Sequence, residues 1–393
     1  MHIDFTPAQK ELRRELRAYY RELFTPELRR ALDEQWDQLG GPAFREAMGR
    51  MGKDGWLTLG WPREHGGHGR GAVDQFIFWD ETYRARAPLP VITVNTVGPM
   101  LIKHGTQAQR DLLLPKIRDG ELLIGIGYTE PSAGTDLASL QTRAVREGDE
   151  WVINGQKVFT THAQDAEYIW LAARTDPDAR KHAGISIILV PTDTPGFSST
   201  PTRTIGGEMT NTTYFENVRV PADSLIGPLN GGWGLITGQL NLERITLAIP
   251  GPADRLLDEV WSWAAKTETA DGGRVIDLPW VQQSLARVYA KLEALKVLNW
   301  RSAWQIDSGD PVMADASAVK VLGTEMRLEL YRLLLEITST SGTVRQFQPG
   351  ALFGGLLEQA YRGAMVETFG GGVNEVQRDI IAMAGLGLPR ARR

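Results

Sequence analysis

"YTEPSAGTDLASL", residues 128–140, follows the apolar run "LLIGIG" at 122–127 and sets Ser132, Ala133 and Gly134 between the hydroxyls of Thr129 and Thr135. Small residues let a backbone come close to a planar or phosphorylated ligand, and hydroxyls with free N–H groups supply hydrogen bonds to it. An ordinary turn at the end of a strand has the same composition, so these residues alone leave both readings open.

The segments around this stretch read as strands. "LQTRAVREGDEWVINGQKVFTT", "EYIWLAART", "GISIILVPT" and "TTYFENVRV" are short, rich in β-branched and aromatic residues, and broken by Gly, Asp, Asn and Pro. "EGDE" at 147–150 reads as a hairpin turn and Asn154-Gly155 as a second one. On either side the texture is helical. "TPAQKELRRELRAYYRELF" repeats Leu12, Leu16, Tyr19 and Leu23 at helical spacing, with Thr6-Pro7 as cap and first turn. "VDQFIFWDETYRAR" and "QRDLLLPKIRDG" continue the pattern after a Gly-rich loop, "GWLTLGWPREHGGHGRG". "WVQQSLARVYAKLEALKVLNWRSAWQID" and "ASAVKVLGTEMRLELYRLLLEI" predict long helices near the end. The expected organisation is a helical domain over 1–117, a β domain over 118–225 and a helical domain over 226–393.

The composition excludes several functions. With 393 residues, 42% hydrophobic and 23% charged, the chain has the balance of a globular protein with a large core. A net charge of -5 offers no footprint for nucleic acid, and no basic run points to a membrane surface. Cysteine is absent, which removes disulfides, thiol nucleophiles and Cys-ligated zinc. No P-loop, Rossmann fingerprint, H-E-x-x-H or G-x-S-x-G occurs. His65 and His68 sit close together without acidic partners, so no metal is expected. "MHIDFTPAQKELRREL" reads as an amphipathic helix and not as a secretion or transit signal, and no 18-residue apolar run occurs, so a cytoplasmic location is expected.

"LNLERITLAIPGP", residues 240–252, reads as a helix whose apolar stripe of Ile236, Leu240 and Leu247 includes Glu243. A carboxylate on an apolar face is either half of a buried ion pair, for instance with Arg244, or a base whose pKa is raised by its surroundings.

"YTEPSAGTD", "INGQKVFTTHAQDAEYIWLAART" and "TTYFENVRVP" together resemble the central β domain of acyl-CoA dehydrogenases. "GWLTLGWPREHGGHG", "GTQAQRDLLLPKIRDGELLIGIGYTEP" and "FGGGVNEVQRDIIAMAGLG" extend the resemblance over nearly the whole chain. It implies an acyl-CoA dehydrogenase-like fold: an N-terminal helical domain, a middle β domain (a small barrel or sandwich) and a C-terminal helical bundle. The chain looks most like the base-bearing α subunit of the actinobacterial steroid side-chain group, in which two related chains form an α2β2 enzyme.

The resemblance implies FAD as cofactor. Ile126, Gly127, Tyr128 and Thr129 match the backbone that binds the flavin's pyrimidine edge, and Thr135 matches a flavin-loop position. Phe159, Thr160 and Thr161 match a Trp-x-Thr tripeptide, with Thr161 near flavin N5 and Phe159 packing on the ring. Many members carry the catalytic Glu in a C-terminal Tyr-Glu-Gly-Thr pattern, but Gly371 stands there in "GGGVNEVQR", and Glu375 falls four residues later. A minority carry the base in a Leu-Glu-Arg sequence after the β domain, which "NLERITL" matches at Glu243. Arg244 then matches an arginine near bound acyl-CoA, and the Gly371 N–H matches a donor to the thioester carbonyl. An electron-transfer flavoprotein is the implied electron acceptor.

Two elements depart from the homotetrameric pattern. The Arg-x-x-Phe-Gly element that reaches a neighbour's FAD is missing from "AAKTETADGGRVIDLPWVQ", and "LEITSTSGTVRQFQPG" replaces the Gln-x-Phe-Gly-Gly-x-Gly segment at the neighbour's pyrophosphate. A heteromer in which another chain supplies both is therefore expected. The competing readings are an ordinary branched- or short-chain acyl-CoA dehydrogenase homotetramer, a flavin monooxygenase on the same fold, and a non-catalytic structural subunit.

Overall fold

The computed structural model describes residues 4–35, 40–243, 248–309 and 312–389, and for 240–243 the backbone alone. The first layer holds α1 (Pro7–Leu23), α2 (Pro26–Glu34), α3 (Pro42–Lys53), α4 (Ala72–Arg84), α5 (Gly98–His104) and α6 (Gln107–Arg118). Thr6 and Gln9 cap α1 reciprocally, with Pro7 in the first turn. Its buried stripe is Leu12, Leu16, Tyr20 and Leu23, which corrects the expected Tyr19. Tyr20 finds an internal partner in Thr82, whereas Tyr19 is half-buried and reaches outward to Asp54 at 2.8 Å. The Gly-rich loop after α3 is partly core, because Leu57, Leu59 and Trp61 are buried and Trp61 donates to the Val94 carbonyl at 3.0 Å.

The second layer is a sheet of β1 (Ile124–Gly127), β2 (Arg143–Glu147), β3 (Glu150–Lys157), β4 (Tyr168–Arg174), β5 (Ile185–Pro191), β6 (Phe197–Arg203), β7 (Met209–Pro221) and β8 (Leu225–Ile226). The order is β6-β7-β3-β2-β4-β5-β8, with β1 parallel to β4. β4 is buried on both faces. Trp170 and Ala172 join the core shared with the N-terminal helices, while Ile169, Leu171 and Ala173 face a separate β-domain core. The "EGDE" turn joins β2 to β3 as expected. Asn154-Gly155 is not a turn: it lies inside β3, where the register with β7 slips by one residue. Gly155 takes φ +153 there and a side chain would strike Thr142, so the glycine serves a bulge. β6 went unread in the sequence because it is polar, contains Pro201 and pairs only with β7.

The third layer holds α7 (Gly232–Glu243), α8 (Gly251–Ala264), α9 (Pro279–Asp307), α10 (Met313–Gly342), α11 (Leu356–Glu367) and α12 (Asn374–Ile380). Residues 240–252 are therefore not one helix: 248–250 are non-helical and α8 starts anew at Gly251. Of the proposed stripe, Ile236 is fully buried, while the side chains of Leu240, Glu243 and Leu247 lie outside the described residues. Among the described residues no helix is long and apolar enough to cross a membrane.

Asp80 joins the first layer to the third. Its buried carboxylate accepts the amide of Gly251 at 2.7 Å, at the start of α8. Burial, helped by neighbouring Glu81, pushes it from 3.8 up to about 6. Between roughly pH 4 and pH 6 the folded protein then binds more protons than the unfolded chain, so stability falls as pH rises through that window. Asp80→Asn keeps an acceptor and removes the charge. It should be more stable than wild type by on the order of 2 kcal/mol at pH 7, with the advantage gone at pH 4. Denaturant titrations at both pH values check this, and an equal effect at the two would show that charge burial is not the cause.

Candidate functional site

β1 and β2 run along the same edge of β4, β1 beside Tyr168–Leu171 and β2 beside Arg174. The stretch 128–142 is thus an excursion between two strands that share one track. A buried ion pair holds its base. Lys157 donates to Glu130 at 2.8 Å and to the Tyr128 carbonyl at 3.0 Å, and Glu130 also accepts the amides of Gln141 and Thr142 at 2.7 and 2.8 Å. Burial pushes the Lys157 amine down to about 8 against the pull of Glu130. Burial also opposes the Glu130 charge, but Lys157 and the amide donors outweigh it and hold the carboxyl below its ordinary range. Neither residue stood out in the sequence. The available signal was a lysine in the otherwise strand-like "INGQKVF".

The predicted flavin-side positions converge here. Ile124 donates to Thr93 on the side of β1 away from β4 at 3.0 Å. Strand alternation turns the Ile126 amide and carbonyl to that same side. Val158 donates to the Thr129 carbonyl at 2.8 Å, which brings the 159–161 segment beside β1. Gly125 permits this approach, since a Cβ there would lie 3.3 Å from the Thr161 carbonyl. Thr160 anchors the segment: it is fully buried, donates to the Asn211 carbonyl at 2.9 Å and accepts the Asn211 side-chain amide at 3.1 Å. With Thr160 pulled inward, Phe159 is left 68% exposed at φ 59, a left-handed conformation rare for an aromatic residue. Thr161 stays half-buried, with its hydroxyl 3.5 Å from that of Thr210. Ser132, Gly134 and Thr135 are exposed on the excursion.

Tyr128 turns the other way. Its ring is buried and its hydroxyl accepts from Trp170 at 3.0 Å and donates to Gln239 of α7. This bond docks α7 against the end of β1, and Glu243 follows Gln239 by one helical turn. The Glu243 side chain and all of Arg244 lie outside the described residues. A π-helical turn at Ile92–Val97 packs between β1 and α7, a local feature the sequence reading missed. The buried hydroxyl of Thr96 in that turn and the side-chain amide of buried Gln239 have no partner among the described residues.

Gly371 lies on a different element, the turn between α11 and α12, at φ 63. Glu375 is exposed on α12. Glu367, four residues before Gly371, ends α11. Burial raises its pKa, but it is committed to an ion pair with Arg327.

An unpaired strand edge close to a segment with an exposed aromatic and continuous with a small-residue loop, with a helix docked at its end, can hold a flat heteroaromatic ring against a second ligand. The N-terminal, middle and C-terminal domains of acyl-CoA dehydrogenases match residues 6–121, 125–218 and 230–386. The chain is 52% identical to acyl-CoA dehydrogenase FadE26 and 47% to FadE29, both of Mycobacterium tuberculosis, with all of each chain covered. Among solved structures it is similar to a chain of the ChsE4-ChsE5 complex from Mycobacterium tuberculosis, with TM-score 0.94, 52% identity and full coverage of both chains. It is equally similar in fold to a chain of the Tcur3481-Tcur3483 steroid acyl-CoA dehydrogenase, with TM-score 0.94, 50% identity and full coverage of both.

Proposed function

Because the chain belongs to the acyl-CoA dehydrogenase family, oxidoreductases that act on CH–CH bonds, we propose that it dehydrogenates a steroid side-chain acyl-CoA with FAD, as the base-bearing subunit of an α2β2 enzyme. The observation that carries this reading is the convergence of the β1 edge, the 159–161 segment and α7 on one place through the Thr129–Val158 and Tyr128–Gln239 bonds. Full-length similarity to chains of two heteromeric complexes, one of them described as a steroid acyl-CoA dehydrogenase, supports the substrate class and the partner. A cytoplasmic location and an electron-transfer flavoprotein as acceptor belong to the same proposal.

The residues present fit the flavin. Phe159 offers an exposed ring, Gly134 has no atom nearer than 3.9 Å to an added Cβ, and the Ile126 backbone faces an unpaired edge. Ile126, Gly127, Tyr128 and Thr129 would hold the ring through their backbone, Thr135 would bond within the loop, Phe159 would stack, and the Thr161 hydroxyl would donate beside the reactive nitrogen. When bound, FAD supplies the acceptor for the hydride leaving the substrate β-carbon. Glu243 takes the α-proton, and the Gly371 N–H donates to the thioester carbonyl as negative charge develops on its oxygen. Arg244 binds the acyl-CoA. Proton and hydride together account for the new double bond.

Thr161→Val tests the flavin side, since it keeps volume and removes one hydrogen bond. It should alter the flavin absorbance and slow anaerobic bleaching by cholanoyl-CoA, a loss of about 1–2 kcal/mol or roughly 5- to 30-fold in rate. A wild-type complex that cholanoyl-CoA fails to bleach but isobutyryl-CoA reduces would restore the branched-chain alternative. An unchanged variant spectrum and rate would place Thr161 away from the ring.

A further inference from the structure

The two halves of the proposed chemistry sit on separate segments, the base at the end of α7 and the Gly371 amide between α11 and α12. A polar seam along α10 touches the segments adjoining both. Lys320, Thr324 and Arg327 lie at i, i+4 and i+7, on one face of α10, and all three are buried. Lys320 donates to the carbonyls of Thr368 and Gly372 at 3.2 and 2.9 Å and to the Asn374 side chain at 2.7 Å. These acceptors bracket Gly371 on both sides. Thr324 accepts the Asn374 side-chain amide at 3.1 Å, and Asn374 closes the turn by donating its backbone amide to Thr368 at 2.9 Å. Arg327 pairs with Glu367, which ends α11, and donates to the Ile249 carbonyl at 2.7 Å, six residues beyond Glu243.

We propose that the Lys320–Thr324–Arg327 face of α10 sets the distance between the base segment and the Gly371 amide, with Lys320 as the principal positioning residue. The inference rests on the roles assigned above to Glu243 and Gly371. A glycine turn with positive φ at both Gly371 and Gly372 has no side chain to hold its shape. Three bonds from one buried ammonium supply that restraint from outside the turn. A misplacement of about 1 Å in a group that meets the developing enolate costs rate on the order of 100-fold without a matching loss of substrate binding.

The experiment uses the co-purified complex loaded with FAD, with cholanoyl-CoA as probe, and compares wild type, Lys320→Met, Thr324→Val and Arg332→Gln. Arg332 pairs with Glu336 on the exposed side of α10 and serves as the control. Lys320→Met should lower kcat by roughly 10- to 100-fold with KM changed less than about threefold, and slow deuterium wash-in at the substrate α-carbon in D2O by the same factor. Thr324→Val should show the same pattern at roughly 3- to 10-fold. It decides the question if Lys320→Met does not fold. The control should match wild type. Variants that lose only melting temperature, with wild-type kcat per bound flavin and wild-type wash-in, would overturn the positioning role. A wild-type complex that neither bleaches nor exchanges the α-proton would instead overturn the underlying assignment of function.

Discussion

Glu243→Gln should lower turnover by ~10²–10⁴-fold while FAD stays bound, because glutamine keeps the size and shape of glutamate but cannot take a proton. The reasoning starts from the helix that carries it. α7 is docked on β1 by the Tyr128–Gln239 bond, and Gln239 and Ile236 on it are fully buried, so this helix is held against β1. A carboxylate in apolar surroundings is a stronger base than one in water, which an acidic carbon requires. The C-terminal carboxylates are the competitors. Glu375 is solvent-exposed and Glu367 is paired with Arg327, so Glu375→Gln should leave single-turnover flavin reduction within a few fold of wild type. Stopped-flow reduction by cholanoyl-CoA reads all of this directly. Wild-type reduction in the Glu243 variant would remove it from the role of base.

The second expected result is that this chain purified alone retains little FAD and that its homologous partner restores it, to two FAD per α2β2 heterotetramer. The segment that would reach a neighbour's flavin, 264–282, instead forms the end of α8, a tight turn bridged between Glu268 and Arg274, and the start of α9. The segment that would meet a neighbour's pyrophosphate, 335–350, is the broken end of α10, with Ser339 at φ 51, and the turn after it. Without the family's two patterned segments the pyrophosphate lacks donors placed for it, and it binds weakly unless another chain supplies them. Flavin should therefore raise the melting temperature only when the partner is present, since a ligand stabilises the species that binds it. Mass and FAD-to-protein ratio, measured with and without the partner, decide this. A stable homotetramer with one FAD per subunit would return the chain to the ordinary dehydrogenases.

The long helices and the central strands were legible because their signals are local and repeated. α9 and α10 each carry an apolar period over some 30 residues, and β4 and β5 are nearly unbroken apolar runs between turn residues. Errors came where a local signal had two meanings. Asn154-Gly155 has hairpin chemistry but sits in a bulge, because β3 has to stay paired with β7 on both sides of it. Residues 240–252 have helical periodicity but break before Gly251, where Asp80 of a distant helix captures the first amide of α8. Tyr19 and Tyr20 are adjacent and equally apolar, and the position of Thr82 settled which one turns inward.

The sequence alone determined the layered helical and β architecture, the family resemblance, and the stretches 126–135 and 159–161 proposed for the flavin side, since each is written in contiguous residues. Only the tertiary structure decided how the ends of these stretches are held. Glu130 with Lys157, Thr160 with Asn211, Tyr128 with Gln239, and Lys320 with the Gly371 turn are all pairings between segments 27 to 111 residues apart. A buried polar side chain must find a partner, but its own sequence neighbourhood does not say which, because chain folding brings that partner in from elsewhere.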